Sequence, residues 1–200
     1  MKNALRNDKG FDKIIRKSFE GEIVDYGFIF GNEKIVFIKT GAGGSIFGFN
    51  NKYLKMANKI HDRLGATVIC SSNPISSLEL DRKAIIWCAK KLNNPNFELY
   101  LLGTSDGAYQ CICLAKNQQT KKLVCINPSF IPSKFPRDKL ILLSRIEKIF
   151  VFWTEDEEGK EIVSNLQKEY IPNLEIKMVK GADHSFTNMI DEFINLSDLI

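Results

Sequence analysis

The stretch LYLLGTSDGAYQCI, residues 99–112, changes character at its centre. Its first half is a continuous apolar run typical of a buried strand, and its second half carries small and apolar residues at helical spacing. Ser105 stands between the two halves and is flanked by Gly103 and Gly107 in the pattern G-x-S-x-G. In a strand-to-helix turn of this form, the glycines let the backbone segments approach closely while the serine projects outward. The pattern therefore predicts a nucleophile at Ser105.

Strand-like and helical segments alternate along the rest of the chain. The predicted parallel strands cover residues 34–39, 66–70, 97–102, 122–126, 148–153 and 174–179. The helical segments between them, roughly ten to fifteen residues long, imply right-handed crossovers. Residues 19–31 alternate in polarity and predict an antiparallel pair. We therefore expect an α/β fold: a doubly wound, mostly parallel sheet with an N-terminal antiparallel hairpin, in three αβα layers.

Composition sets the class of protein. The 200 residues are 44% hydrophobic and 26% charged, which is typical of a globular protein and predicts one domain over residues 1–200, with 1–18 as a peripheral segment. The net charge of +4 comes without a sustained basic stripe, so nucleic acid is not an expected partner. No apolar run approaches the roughly 18 residues that cross a bilayer, and no secretory signal is present. We therefore expect a cytoplasmic protein without a membrane span.

The five cysteines form no C-x-x-C pair, which favours reduced, buried thiols over a disulfide or zinc framework. Residues 128–147 hold a proline-rich loop and one short helical segment, which leaves little room for a lid, so we expect no lid domain.

A serine nucleophile needs a histidine as its base, and the chain has two. His61 lies inside the first long helical segment, where a surface or partly packed histidine is expected. His184 lies in GADHSF, directly after the last predicted strand. Loops that follow parallel strands meet at one edge of the sheet, so we expect His184 to lie beside Ser105.

An acidic side chain would hold the imidazole in the required tautomer. The run Glu155, Asp156, Glu157 and Glu158 follows the strand at 148–153, and spacing alone leaves all four open. Asp183 is less suitable, because neighbours in a loop seldom point at each other.

The glycine-rich loop TGAGGS, residues 40–45, could bind the phosphate groups of a nucleotide or could stabilise an oxyanion. A dinucleotide fingerprint starting at Gly41 would need glycine at position 46, which is Ile46, and no acidic residue follows the next strand in CSSNP, residues 70–74. A P-loop would need a Gly-Lys-Ser/Thr tripeptide, which the chain lacks. The other interpretation is a loop that presents backbone N–H groups to a developing oxyanion. Two distant histidines provide no metal-binding pattern, so we expect no metal.

The chain order of serine, acid and histidine resembles the α/β-hydrolase superfamily over residues 20–196. The resemblance implies Asp156, in W-T-E-D at 153–156, as the acid. It also implies that the glycine-rich loop, including Gly41 and Gly43, forms the oxyanion hole, with the N–H groups of Ala42 and Asp106 as donors. Thr40 departs from the family, which commonly has histidine there. No cofactor is implied.

The expected function is that of a serine hydrolase that cleaves a carboxylic ester or thioester of a small-molecule acyl substrate through an acyl-enzyme. Ser105 would attack the carbonyl, His184 would transfer the proton, and Asp156 would orient His184. Two alternatives remain open: a non-catalytic binding protein with the same fold, and a small peptidase or acyltransferase with the same triad. The sequence does not indicate the oligomeric state.

Overall fold

The computed structural model describes residues 10–116, 119–129, 137–153 and 157–200. Within these residues, eight strands form one sheet and six α-helices cover its faces. The strands are β1 (Lys13–Phe19), β2 (Glu22–Ile29), β3 (Asn32–Lys39), β4 (Ala66–Ser71), β5 (Glu98–Thr104), β6 (Thr120–Ile126), β7 (Glu147–Trp153) and β8 (Leu174–Val179). The helices are α1 (Lys52–Leu64), α2 (Leu78–Lys91), α3 (Asp106–Leu114), α4 (Arg137–Leu142), α5 (Glu157–Lys168) and α6 (Ile190–Asn195).

The strand order in the sheet is β1-β2-β4-β3-β5-β6-β7-β8. Strand β2 is antiparallel to both β1 and β4, and the pairs from β4 through β8 are parallel. At the centre, Phe37 of β3 is in register with Ile69 of β4 and Leu101 of β5. This arrangement confirms the predicted doubly wound, mostly parallel sheet with an N-terminal hairpin.

Both faces of the sheet are covered by helices. Phe37 and its neighbours pack on one face in a core that includes residues of α2, α3, α4 and α5. The next residue, Ile38, points to the opposite face and joins a core with Met56 of α1 and Phe193 of α6. Because both faces are buried, the central strands carry continuous apolar runs, such as residues 35–38 of β3, instead of alternating. The result is the expected three-layer αβα arrangement.

The N-terminal hairpin begins earlier in the chain than the sequence predicts. The antiparallel pair is Lys13–Phe19 with Glu22–Ile29, joined by a two-residue turn at Glu20 and Gly21, which both have positive φ. Part of the predicted peripheral segment 1–18 is therefore the edge strand of the sheet. The prediction missed it because an edge strand with exposed faces keeps charged residues such as Arg16, so its apolar pattern is weak.

The buried cysteines act as small apolar side chains. Cys70, Cys88, Cys111 and Cys125 are buried free thiols, and burial raises the pKa of Cys88 to about 12. None of the helices within the described ranges is long and apolar enough to cross a bilayer. The absence of a lid stays a prediction, because residues 130–136 lie outside the described residues.

Candidate active site

Ser105 occupies a sharp turn between β5 and α3. Strand β5 ends at Thr104 and helix α3 begins at Asp106, so the serine is the single residue between them. Its backbone has φ 54° and ψ −123°, an unfavourable conformation for a residue with a side chain. The Ser105 N–H donates to the carbonyl oxygen of Ile126 at 2.9 Å, which fixes the turn against β6. Such a turn projects the serine hydroxyl out from the end of the sheet.

The two glycines of the G-x-S-x-G pattern lie where no side chain fits. A Cβ atom at Gly103 would lie 2.5 Å from the Cα of Ala108, and one at Gly107 would lie 2.3 Å from the carbonyl oxygen of Thr40. Each distance is well inside van der Waals contact with backbone atoms. The predicted reason for the glycines, close approach of strand, turn and helix, therefore holds at both positions.

The structure brings His184 and Ser105 together. The Nε2 atom of His184 lies 3.1 Å from the Oγ atom of Ser105, within hydrogen-bonding distance. His184 lies in the loop between β8 and α6 and is exposed, so its imidazole can exchange protons with solvent.

Contacts from three parts of the chain hold the loop that carries His184. The Asn127 side-chain amide donates to the His184 carbonyl oxygen at 2.9 Å, and the Lys52 ammonium donates to the carbonyl oxygen of Ser185. Phe186 is fully buried against Phe193, with ring centroids 5.7 Å apart, and has φ 54°. These contacts fix the backbone on both sides of the imidazole.

Lys52 is itself buried, and its ammonium lies 4.4 Å from the ring centroid of Phe193. Burial lowers the pKa of Lys52, and the nearby Asp183 carboxylate opposes this shift. The side chain of Lys52 therefore supports the histidine loop from below, through its bond to Ser185.

The acid partner of His184 stays a prediction. Asp156 and Glu155 lie outside the described residues, and Glu157 begins α5 with a side chain that is also not described. The Asp183 carboxylate accepts hydrogen bonds from the N–H of Thr187 at 2.8 Å and from the Thr187 hydroxyl. Burial raises the pKa of Asp183, but these bonds and those from nearby backbone amides outweigh it and lower the pKa overall. Asp183 therefore stabilises the loop.

The glycine-rich loop after β3 lies against Ser105. A Cβ atom at Gly41 would lie 3.3 Å from the Cβ of Ser105, so glycine keeps this approach open. The N–H of Gly43 donates to the carbonyl oxygen of Asn73 at 2.7 Å and is used within the loop. The N–H groups of Ala42 and Asp106 have no acceptor among the residues that the structure describes. Both N–H groups can therefore donate to an acceptor on a bound molecule.

Thr40 stabilises the turn of this loop through two hydrogen bonds. Its hydroxyl donates to the carbonyl oxygen of Gly44 at 3.0 Å, and its own N–H donates to the carbonyl oxygen of Ser71 at 3.2 Å. The departure from histidine at this position therefore leaves an ordered turn.

A polar cluster of two buried side chains and the half-buried Asp106 was not predicted from the sequence. Asn73, Asp106 and Gln110 are joined by hydrogen bonds of 2.7–3.0 Å between their side chains. The spacing of Asp106 and Gln110, one helical turn apart, was a weak sequence signal. Asn73 gave none beyond the Asn-Pro pair that marks a loop.

A second unpredicted cluster centres on a buried ion pair. The Lys39 ammonium lies 3.0 Å from one carboxylate oxygen of Asp81 and 3.2 Å from the other, and both side chains are fully buried. Lys39 also donates to the hydroxyl groups of Ser71 and Ser77, each at 3.0 Å, and to the carbonyl oxygen of Ser72 at 2.9 Å. Burial lowers the pKa of Lys39, and the Asp81 carboxylate opposes the shift.

His61 is far from this site in the fold. It lies in the last turns of α1, and its Nδ1 atom is 2.9 Å from the carbonyl oxygen of Ala66, the first residue of β4. Ser105 follows the opposite, carboxyl end of a parallel strand. In the described part of the chain, no three His, Cys, Asp or Glu side chains form a group that could hold a metal ion.

Comparison with solved structures identifies the fold. A serine hydrolase homologue from Coxiella burnetii superposes with a TM-score of 0.68 at 18% identity, over 94% of this chain and 96% of that chain. An esterase domain from Rhodothermus marinus has a TM-score of 0.68 at 13% identity, over 94% and 95%. A serine hydrolase without a lid from Xanthomonas campestris has a TM-score of 0.64 at 16% identity, over 94% and 92%.

These similarities show that the chain has the α/β-hydrolase fold, as its sequence motifs predict. No family model matches the sequence, and no curated protein matches it either. A fold at this level of identity does not by itself specify the reaction, which depends on the residues of the site.

Proposed function

We propose that this protein is a serine hydrolase that cleaves carboxylic esters or thioesters through an acyl-enzyme. The observation that carries the proposal is the 3.1 Å contact between His184 Nε2 and Ser105 Oγ at a strained strand-to-helix turn. A serine hydroxyl becomes a nucleophile at neutral pH when an adjacent imidazole accepts its proton. Strained backbone conformations concentrate at active sites, so the strain at a serine in contact with a histidine supports a catalytic role.

The proposed reaction has two steps. Ser105 Oγ attacks the substrate carbonyl while His184 Nε2 takes the hydroxyl proton, and the imidazolium then gives that proton to the departing alcohol or thiol. In the second step, His184 takes a proton from a water molecule as its oxygen attacks the acyl carbon. The imidazolium then returns that proton to Ser105 Oγ as the bond between Oγ and the acyl carbon breaks, which releases the acid product and regenerates the serine. Asp156 is the proposed partner that orients His184 and stabilises its cation.

The developing negative charge on the carbonyl oxygen needs fixed donors. The N–H groups of Ala42 and Asp106 are proposed for this role, because both lack an acceptor among the described residues. Ala42 follows Gly41, which lies against Ser105, and Asp106 directly follows Ser105 in the chain. Asp106 also begins α3, where the helix dipole favours an anion.

The names of the structural neighbours support the reaction class. They include a serine hydrolase homologue, an esterase domain and a serine hydrolase without a lid. We expect a small acyl compound as the substrate. The proposed enzyme uses no cofactor, binds no nucleic acid and acts in the cytoplasm.

A fluorophosphonate probe tests this proposal. The probe phosphonylates a serine only when that serine is activated, so the wild-type protein should be labelled and Ser105→Ala should not. Ser18→Ala, which changes an exposed serine in β1, is the matched control and should be labelled like the wild type. An unlabelled wild-type protein would support the binding-protein alternative.

Substrate class is then decided by turnover. p-Nitrophenyl esters of graded chain length, acyl-CoA thioesters and short peptide amides should be compared with the same preparation. Ester or thioester turnover that Ser105→Ala abolishes is the expected result. Turnover confined to peptide amides, or acyl transfer to an added amine in place of water, would favour the peptidase or acyltransferase alternative.

A further inference from the structure

Asn73 lies between the two proposed oxyanion donors although it belongs to neither donor segment. It follows β4 in the loop that leads to α2, and its side chain is only 2% exposed. Burial of a primary amide is costly unless its hydrogen-bonding groups find partners. At Asn73 they do, and the partners belong to the glycine-rich loop and to α3.

The backbone and the side chain of Asn73 together contact the glycine-rich loop on both sides of Ala42. The Asn73 carbonyl oxygen accepts from the N–H of Gly43 at 2.7 Å, and the Asn73 N–H donates to the carbonyl oxygen of Gly44 at 2.9 Å. The side-chain Nδ2 atom donates to the carbonyl oxygen of Thr40 at 3.1 Å. Hydrogen bonds from this one residue therefore hold the loop on both sides of Ala42.

The same side chain reaches the second donor segment. Asn73 Nδ2 also donates to the Asp106 carboxylate at 3.0 Å, and Asn73 Oδ1 accepts from Gln110 Nε2 at 2.8 Å. Gln110 Nε2 is in turn 2.7 Å from the same oxygen of Asp106. Asn73 is therefore bonded both to the loop that carries the Ala42 N–H and to the residue that supplies the Asp106 N–H.

We propose that Asn73 is a positioning residue that fixes the spacing between the Ala42 and Asp106 N–H groups, so that both reach the same carbonyl oxygen as it becomes an anion. This inference rests on the proposed hydrolase function. Asn73 does not touch the substrate. It acts through the two donors, whose value in catalysis depends on their position before the reaction begins.

The chemistry of the side chain explains why asparagine stands here. The Nδ2 group provides two hydrogen atoms for two acceptors, and the Oδ1 atom accepts from Gln110. A carboxylate at position 73 would lose both donors and repel the Asp106 carboxylate.

The loop that carries Asn73 has a rigid base. Lys39 bonds to Ser71 and Ser72 before it and to Ser77 after it, in the fully buried cluster with Asp81. Lys39 is also the last residue of β3, directly before Thr40. The same lysine therefore supports both the loop that carries Asn73 and the glycine-rich loop.

The test is the kinetics of Asn73→Ala with p-nitrophenyl acetate. The variant keeps the backbone bonds to Gly43 and Gly44 but loses the side-chain bonds to Thr40 and Asp106. We expect kcat to fall by about 10- to 100-fold, since displacement of a catalytic group by about 1 Å costs this much, while KM stays within about twofold. The affinity for a trifluoromethyl ketone, which forms a tetrahedral adduct with serine, should fall by the same factor as kcat/KM.

Asn58→Ala is the matched control. Asn58 is a buried asparagine in α1, a helix that contains neither donor segment, so this change removes a comparable side chain from the interior. It should lower the unfolding midpoint and leave kcat and the ketone affinity unchanged. Equal kcat and equal ketone affinity in Asn73→Ala and the wild type would overturn the inference.

A second variant covers the case in which Asn73→Ala does not fold. Gln110→Met preserves the volume of the side chain and removes only the bonds to Asn73 and Asp106, so kcat should fall by a smaller factor with KM unchanged. An unchanged kcat there would also contradict the inference. Failure of the proposed function has a different signature, because Ser105→Ala would then be as active as the wild type.

Discussion

The imidazole of His184 lies 3.1 Å from the hydroxyl of Ser105, although 79 positions separate the two residues in the chain. The parallel sheet accounts for this proximity, because Ser105 follows the carboxyl end of β5 and His184 follows that of β8. Loops at this edge of a doubly wound sheet converge, and function in such folds concentrates there. The contact places a base within direct reach of the serine proton.

Replacement of His184 by alanine should therefore remove activity without unfolding the protein. The His184 side chain is exposed, and the contacts that hold its loop do not involve the imidazole. Asn127 and Lys52 bond to the backbone carbonyl oxygens of residues 184 and 185, and Phe186 is buried. We expect kcat/KM for p-nitrophenyl acetate to fall by about 10²- to 10⁴-fold, the usual contribution of a general base. The unfolding midpoint in urea should stay close to that of the wild type.

His61→Ala is the control for this change. It removes the other histidine, whose Nδ1 atom bonds to the carbonyl oxygen of Ala66, so it should lower stability and leave the rate unchanged. Full activity in His184→Ala would remove the proposed base.

The local parts of this site were predictable from sequence because short-range sterics determine them. The turn at Ser105 needs glycines at fixed spacing, and the central strands are apolar because both of their faces are buried. Asn73 and Lys39 were missed for the opposite reason. A polar residue after or within an apolar strand predicts exposure, and only the three-dimensional arrangement shows the partners that make their burial favourable.

The backbone strain at Ser105 should be measurable as stability. Both Ser105→Gly and Ser105→Ala remove the hydroxyl, but only glycine adopts φ 54° without cost. Such strain costs about 1–3 kcal/mol. Relief of the strain in Ser105→Gly is partly offset, because glycine also increases the conformational entropy of the unfolded chain. We expect Ser105→Gly to be more stable than Ser105→Ala by about 1 kcal/mol in urea unfolding.

The same pair of substitutions at Ser18 provides the control. Ser18 lies in β1 and is not among the residues with positive φ, so glycine there should be less stable than alanine. The same order of stabilities at both positions would show that Ser105 is not strained.

The buried pair of Lys39 and Asp81 should be far more important for stability than an exposed one. Lys39→Met leaves the Asp81 carboxylate fully buried without a cation, which costs about 3–5 kcal/mol. The double variant Lys39→Met/Asp81→Asn removes the uncompensated charge and keeps an acceptor for the Tyr26 hydroxyl, which bonds to Asp81 at 2.9 Å. It should be more stable than Lys39→Met alone.

Lys59 and Asp198 form the exposed comparison pair, 2.8 Å apart with side chains 31% and 52% exposed. Lys59→Met should cost less than about 1 kcal/mol, because solvent screens the attraction. Losses of similar size at Lys39 and Lys59, measured by urea unfolding, would contradict the importance assigned to the buried pair.

The Asp183 carboxylate should make the stability of the histidine loop depend on pH. Burial raises the pKa of Asp183, but its hydrogen bonds from Thr187 and neighbouring amides outweigh burial and lower the pKa below that of an unfolded aspartate, which is about 3.9. The folded state then binds fewer protons than the unfolded state between these two values. The stabilisation is therefore complete above the unfolded pKa and is lost as the pH falls through the folded pKa.

Asp183→Asn should lower the melting temperature at pH 6, and its difference from the wild type should narrow at pH 3. A Thr187→Val background, which lacks the hydroxyl bond to Asp183, should reduce the difference at pH 6. A difference that widens in acid would show that the ionised carboxylate does not stabilise this loop.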